Sequence, residues 1–275
     1  MNRRQSLGGG ARGFLPLKGR NVGVETPTYR RITSEVGWAF SPTKSKIAFT
    51  LAEVLITLGI IGIVAALTLP TLIQNHANKV VETRLMKFYS TINQAIQLAE
   101  VDYGDSAYWY AKYDDLDTDI KGRPVKGKTD REKWVNKYLA PYMKITETKY
   151  ADDGYPVFYL ADGASFRYTH PTSLADWEVY TKDYFKCVKG GSWTKNMGIC
   201  NFRFIYSPIS TKVSRRSFKP YNYYWDGKVE TFKNGITEAG TYYRACNTRN
   251  QEYCALYIQY NGWKIPDDYP FKVSY

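Results

Sequence analysis

The stretch Phe49-Thr-Leu-Ala-Glu-Val-Leu-Ile-Thr-Leu-Gly-Ile-Ile-Gly-Ile-Val-Ala-Ala-Leu-Thr-Leu-Pro-Thr-Leu-Ile73 decides how this 275-residue chain is organised. Its one ionisable side chain is Glu53, and no other lies between Lys46 and His76. From Val54 to Leu69 every residue is apolar except Thr57 and Thr68, whose hydroxyls can bond back to helix carbonyls. Soluble helices usually keep a polar face. This one has none, which disfavours a buried core helix. A helix of roughly 20–25 such residues crosses a bilayer core of about 30 Å. The expectation is therefore a membrane span over about residues 50–73.

Charge orients the span. The chain carries +12 in all, and residues 1–48, with nine basic and two acidic side chains, hold +7 of it. Positive flanks stay in the cytoplasm, which puts the N-terminus inside and the remaining 227 residues, at only +5, outside. A nucleic-acid reading of the sequence pI near 9.3 loses its ground, since most of the excess is in one terminal segment. No direct nucleic-acid partner is expected. A secretory signal peptide would have a shorter apolar region and an A-x-A-like cut. Here the stretch runs on into helical sequence and reads as a retained anchor. Residues 1–48, with Gly8-Gly-Gly-Ala-Arg-Gly13 and no apolar periodicity, read as a disordered cytoplasmic leader.

Glu53 is the oddity. A carboxylate inside a membrane helix costs about 3 kcal/mol unless it finds a partner. It is either an interfacial charge or a group that pairs with a positive charge on another copy of the chain. Ala48-Phe-Thr-Leu-Ala-Glu-Val-Leu-Ile56 resembles the cleavage and methylation site of type IV prepilins and type II secretion pseudopilins. The resemblance implies a cut between Ala48 and Phe49 by a prepilin peptidase and methylation of the new amine. Phe49, Thr50, Leu51 and Glu53 then belong to the processing site. Family members usually have Gly where this chain has Ala48. Glu53 is fifth after the cut, the family's place for a glutamate that meets the N-terminal amine of a neighbouring subunit. Pro70 is 22nd, matching the proline that kinks or melts the pilin helix. Phe49, Glu53, Gly59, Gly62 and Pro70 are thus the assembly residues. Gly59 and Gly62 form a notch for close helix approach, and Pro70 predicts a bend or local opening near Leu67–Pro70.

The implied protein is a pilin-like subunit of the bacterial inner membrane, single-pass, assembled into a type II secretion pseudopilus or type IV pilus. Its implied partners are the prepilin peptidase, other pilin or pseudopilin subunits, an inner-membrane assembly platform and the lipid bilayer. The size of its head points to a minor subunit.

Beyond the span, Val81, Leu85, Phe88, Ile92, Ala95 and Ala99 recur every three or four residues, an amphipathic helix continuing to about Val101. Residues 49–101 thus make one helix, and 102–275 an extracytoplasmic head against whose sheet the amphipathic half of the helix is expected to pack. Residues Tyr113–Lys128 read as loop, and Asp117-x-Asp119 lacks the spacing and terminal Glu of an EF-hand. A short helix is predicted over Thr129–Leu139, capped by Thr129 or Asp130, with Trp134, Val135, Tyr138 and Leu139 inward. Pro156–Tyr168 reads as a hairpin about Asp162-Gly163, and Phe202–Tyr206 as a strand. Tyr223–Val229 with Asp226-Gly227, and Ala255–Lys264 with Asn261-Gly262, repeat the strand-and-turn signal. The fold class is α+β: a long N-terminal helix and an antiparallel-sheet head.

Cys187, Cys200, Cys246 and Cys254 fall outside the cytoplasm in this reading, where disulfides persist. Four cysteines allow three connectivities; local pairing, Cys187 with Cys200 and Cys246 with Cys254, is favoured over the others. No nucleophile elbow, phosphate loop or HExxH motif occurs. His170 sits before Pro171 in a polar turn, and Asp152-Asp153 and Asp267-Asp268 adjoin Gly or Pro as turn residues do. Neither an enzyme, a metal site nor a cofactor is expected. Two other readings stay open. One is a membrane-anchored binding protein whose aromatic head uses Trp109, Trp177, Trp193, Trp225 and Trp263. The other is an uncleaved single-span protein acting through its basic tail.

Overall fold

Apolar residues at three- and four-residue spacing continue past the all-apolar stretch, and the chain answers with one 53-residue helix, α1 (Leu51–Tyr103). At 1.5 Å per residue it is about 80 Å long. A computed structural model describes residues 49–109, 119–122, 125–168, 175–189, 193–208, 216–238, 240 and 242–275. The buried positions of α1 all lie in its second half: Ala77, Val81, Glu82, Leu85, Phe88, Ile92, Ala95, Ile96 and Ala99. Gly104, at φ +77°, ends the helix in a conformation that suits glycine. The helix runs unbroken through Pro70. The local opening expected there is absent, because losing one backbone bond leaves the flanking turns bonded.

The head is built on a six-stranded antiparallel meander: β1 (Ile145–Tyr150), β2 (Pro156–Leu160), β3 (Ser165–Tyr168), β4 (Ala175–Tyr180), β5 (Asn201–Tyr206) and β6 (Lys219–Pro220), in spatial order. Alternation along the strands divides it into two faces. Phe158, Phe166, Trp177, Val179, Phe202, Phe204 and Tyr206 share one buried cluster with Phe88, Ile92 and the rest of the α1 stripe. A second helix, α2 (Asp130–Tyr138), adds Val135 and Tyr138 to that cluster, with Trp134 packed against it. Thr129 is its cap, accepting the Glu132 N–H at 3.2 Å. Pro220 lies on the edge strand, where a missing N–H breaks no ladder.

Two smaller clusters include residues of the alternate sheet positions, and each contains a disulfide. Val157, Tyr159 and Tyr180 pack with Tyr184 and Cys187 of α3 (Tyr184–Cys187) and with Cys200. Ile205 and Tyr221 pack with Phe232 of α4 (Glu230–Asn234), Cys246, and Cys254, Leu256 and Tyr257 of α5 (Cys254–Tyr260). A two-stranded ribbon, β7 (Ile236–Glu238) with β8 (Tyr242–Arg244), follows α4.

Two expectations are corrected. Ala255–Lys264 is no strand and turn: Cys254–Tyr260 is helix α5, and Asn261-Gly262 closes it, with Gly262 at φ +66° and the Trp263 N–H bonded to the Ile258 carbonyl at 2.9 Å. Five consecutive residues, Cys254 to Ile258, are buried, so no periodicity could separate strand from helix. Tyr223–Val229 forms no strand either. Asp226-Gly227 does turn the chain, but the Asp226 carboxylate accepts from Lys228 N–H and Thr231 Oγ and so leads into α4.

Candidate functional site: the exposed half of the first helix

Each apolar side chain from Leu51 to Ile73 adds to an exposed surface, and no part of the most apolar stretch is covered by the head. The helix is long and apolar enough to cross a membrane. The Thr57 hydroxyl donates to the Val54 carbonyl at 3.0 Å and the Thr68 hydroxyl to Val64 at 2.9 Å, so neither is left as a free donor on the apolar surface. Phe49 and Thr50 lead into the helix, Leu51 begins it, and Glu53 lies in its first turn, where the helix dipole favours a negative charge. Gly59 and Gly62 are three residues apart on one side, with nothing within 4 Å of where a Cβ would stand. Pro70 lies within the same exposed half. Ala48 lies outside the described residues.

The other half of α1 is held firmly. Glu82, buried, accepts from Lys264 Nζ and from the Ile265 N–H, both at 3.0 Å, which ties the C-terminal segment to the helix. Trp263 packs beside Tyr89, ring centroids 5.1 Å apart. Arg84 donates to the main-chain oxygens of Thr181 and Asp162, and Asn93 to that of Phe218. The exposed half is thus a rigid extension of the head's own core helix. Sequence reasoning missed Glu82 and Arg84 as fasteners; the signal was a charged residue beside each of the stripe positions Val81 and Leu85.

Across the sheet's second face runs a row of charges. Arg167 on β3 lies opposite Glu178 on β4, and Glu178 opposite Arg203 on β5. Arg167 Nε is 3.3 Å from the Glu178 carboxylate and Arg167 Nη2 is 2.8 Å from Asp153. Arg203 and Arg244 both meet Glu252. Burial lifts the Glu178 carboxyl above its ordinary range, opposed by Arg167 and by the Tyr180 hydroxyl that donates to it. The Arg167 guanidinium stays charged beside Glu178 and Asp153 despite its own burial. Arg167 and Glu178 at the centre of this arrangement are both buried, while Asp153 at its edge is exposed.

The cysteines pair locally, Cys187 with Cys200 and Cys246 with Cys254. The first bond staples α3 to the strand end at Asn201 from within its buried cluster. A thiol-to-hydroxyl replacement of both Cys187 and Cys200 is expected to lower stability by about 3 kcal/mol, the loop-closure figure for a loop of this size. Thermal melting of the wild type beside the Cys187→Ser, Cys200→Ser variant, both without reductant, checks it; identical midpoints would count against the staple.

The tryptophans proposed as contacts divide. Trp109 and Trp177 are core residues, which removes them from any binding surface. Trp225 stacks on Phe232 at 5.4 Å, and Trp263 packs against the α1 cluster. His170, Asp117 and the Trp193 side chain lie outside what is described. Asp119 accepts the Lys121 N–H in a turn.

A family of unknown function, DUF6613, matches residues 71–273. The chain belongs to that family. The DUF6613 match opens at Thr71, one residue past Pro70, and takes in the packed half of α1 and nearly all of the head. The exposed half of α1 lies almost wholly upstream of it. No curated protein and no solved structure matches the chain.

Proposed function

We propose that this DUF6613 protein is a pilin-like structural subunit of a bacterial inner membrane. It is cut between Ala48 and Phe49 by a prepilin peptidase, methylated at Phe49, and assembled through residues 49–73 into a type II secretion pseudopilus or type IV pilus. The observation that carries the reading is α1 itself: an exposed apolar half with one carboxylate at its start, continuous with a packed half beneath an antiparallel sheet. In this reading the apolar half is dissolved in lipid before assembly and buried among neighbouring subunits afterwards, and both environments reward the same side chains. Gly59 and Gly62 let neighbours approach closely. The leader, with +7 in residues 1–48, stays cytoplasmic, and both disulfides form on the other side. The role is that of a minor subunit, since the head after α1 is large.

Intact mass and N-terminal sequencing of the protein from bacterial membranes test the reading. The expected product begins at N-methylated Phe49 and is about 5.5 kDa lighter than the 31.6 kDa chain, as 48 of 275 residues are lost. A product that begins upstream of Ala48 overturns it.

A further inference from the structure

We propose that a basic cleft beside the membrane-proximal part of α1 holds the phosphate of an anionic phospholipid head group in the extracytoplasmic leaflet. The inference rests on the membrane-anchored reading above.

The cleft, about 280 Å³, is lined by His76, Lys79, Arg84 and Lys87 of α1 and by Asp162 of the β2–β3 turn. Three permanent cations and a histidine thus face one carboxylate. Asp162 is engaged by Lys87, 3.2 Å from Nζ to the carboxylate. Arg84 gives hydrogen bonds to main-chain oxygens of Asp162 and Thr181, which fix the guanidinium while leaving its charge in place. Gly163, at φ +82°, makes the room: a Cβ there would stand 3.3 Å from Arg84 Nη2. The Tyr275 ring packs edge-on to His76 and against the Arg84 guanidinium, which supports two of the lining side chains. Lys79 and His76 are exposed at its mouth.

Position selects the ligand. Ile73 is the last apolar residue of the exposed stretch, so His76 begins about 4.5 Å and Lys79 about 9 Å of helix rise beyond it. The head-group layer on each side of a bilayer core is about 5–7 Å thick. Side chains on a helix lean toward its N-terminus. Here that direction is toward the membrane, so both residues reach back into the phosphate layer. Cations just past a span on the translocated side also run against the usual distribution. Gathering them on one side of a helix around a pre-set arginine gives them an anionic counterpart to meet.

The test uses the full-length protein in vesicles of equal phosphatidylglycerol and phosphatidylcholine, released and weighed by native mass spectrometry. The wild type should retain phosphatidylglycerol over phosphatidylcholine by roughly thirty-fold, the preference expected of Lys79 and Arg84 at about 1 kcal/mol each. The double variant His76→Gln, Lys79→Gln should lose about five-fold of it, the share of one lysine with Arg84 still in place, while Lys144→Gln, an exposed cation remote in sequence from the cleft, should keep the whole preference. Equal retention of the two lipids by the wild type overturns the proposal. So does loss of the preference in excess inorganic phosphate, which would mark a free-anion site. Flotation of the wild type with pure phosphatidylcholine vesicles separates the two readings: flotation without lipid preference sinks only the head-group site, and failure to float sinks the anchor as well.

Discussion

Phe88→Ala should destabilise the folded head by about 3–5 kcal/mol, the range for emptying a buried phenylalanine site. Phe88 is 1% exposed and its ring lies 5.3 Å from Phe166, 6.0 Å from Phe204 and 5.7 Å from Phe218. Those three rings come from β3, β5 and the approach to β6, so one side chain joins α1 to three parts of the sheet region. The aromatic neighbours are themselves packed, Phe204 stacking on Phe218 at 5.3 Å, and cannot collapse into the gap. A loss of this size takes a large share of the 5–15 kcal/mol that holds an ordinary domain together. The control is Leu98→Ala, on the same helix but 45% exposed, which should cost under about 0.5 kcal/mol. Urea unfolding of the detergent-solubilised protein, followed by tryptophan emission, measures both. Equal effects at the two positions would mean that α1 does not pack on the sheet as described.

Much of that packing is legible in the sequence. The period through Val81, Leu85, Phe88, Ile92, Ala95 and Ala99 fixed which side of α1 faces inward, because a single face of a long helix repeats enough times to be read. The Asp162-Gly163 hairpin was legible for a local reason: Gly163 takes a positive φ and the Asp162 carboxylate accepts the Ala164 N–H. By contrast, Cys254 to Ile258 are all buried, so helix α5 carries no period that would separate it from a strand. Strands β1 and β4 went unread although β4 alternates Trp177 and Val179 with Asp176 and Glu178. Alternating charges usually mark a solvated strand face, yet Glu178 is wholly buried. Only the register that sets Arg167 and Arg203 opposite it makes that burial affordable, and register is a property of three strands at once. The candidate site divides in the same way. Glu53 could be singled out, since one charge in an apolar stretch needs no partner to be noticed. The basic cleft could not, since Asp162 reaches it from 78 residues beyond Arg84 in the chain.

If the proposed assembly holds, Glu53→Ala should leave the protein in the membrane and lower its incorporation into fibres by about two to three and a half orders of magnitude. The two expectations come from opposite signs of one quantity. Before assembly a carboxylate in the first turn of a membrane helix is a cost of about 3 kcal/mol at full depth and less near the interface. Its removal therefore favours insertion if it does anything. After assembly, in the proposed arrangement, the carboxylate of one subunit meets the amine at Phe49 of another in a medium of low dielectric. Removing one member of such a pair leaves the other charge buried, at about 3–5 kcal/mol, and each 1.4 kcal/mol is ten-fold in association. Glu53→Gln sharpens the test. It keeps the shape and a hydrogen bond while dropping the charge, so a pairing role predicts that Gln fails nearly as badly as Ala, whereas a packing role predicts that Gln is tolerated. Membrane-fraction abundance and the fraction recovered in sheared fibres are read on the same cells. Normal fibre recovery for both variants would reduce Glu53 to an interfacial charge, and assembly would then have to be carried by the apolar surface and the Gly59–Gly62 notch alone.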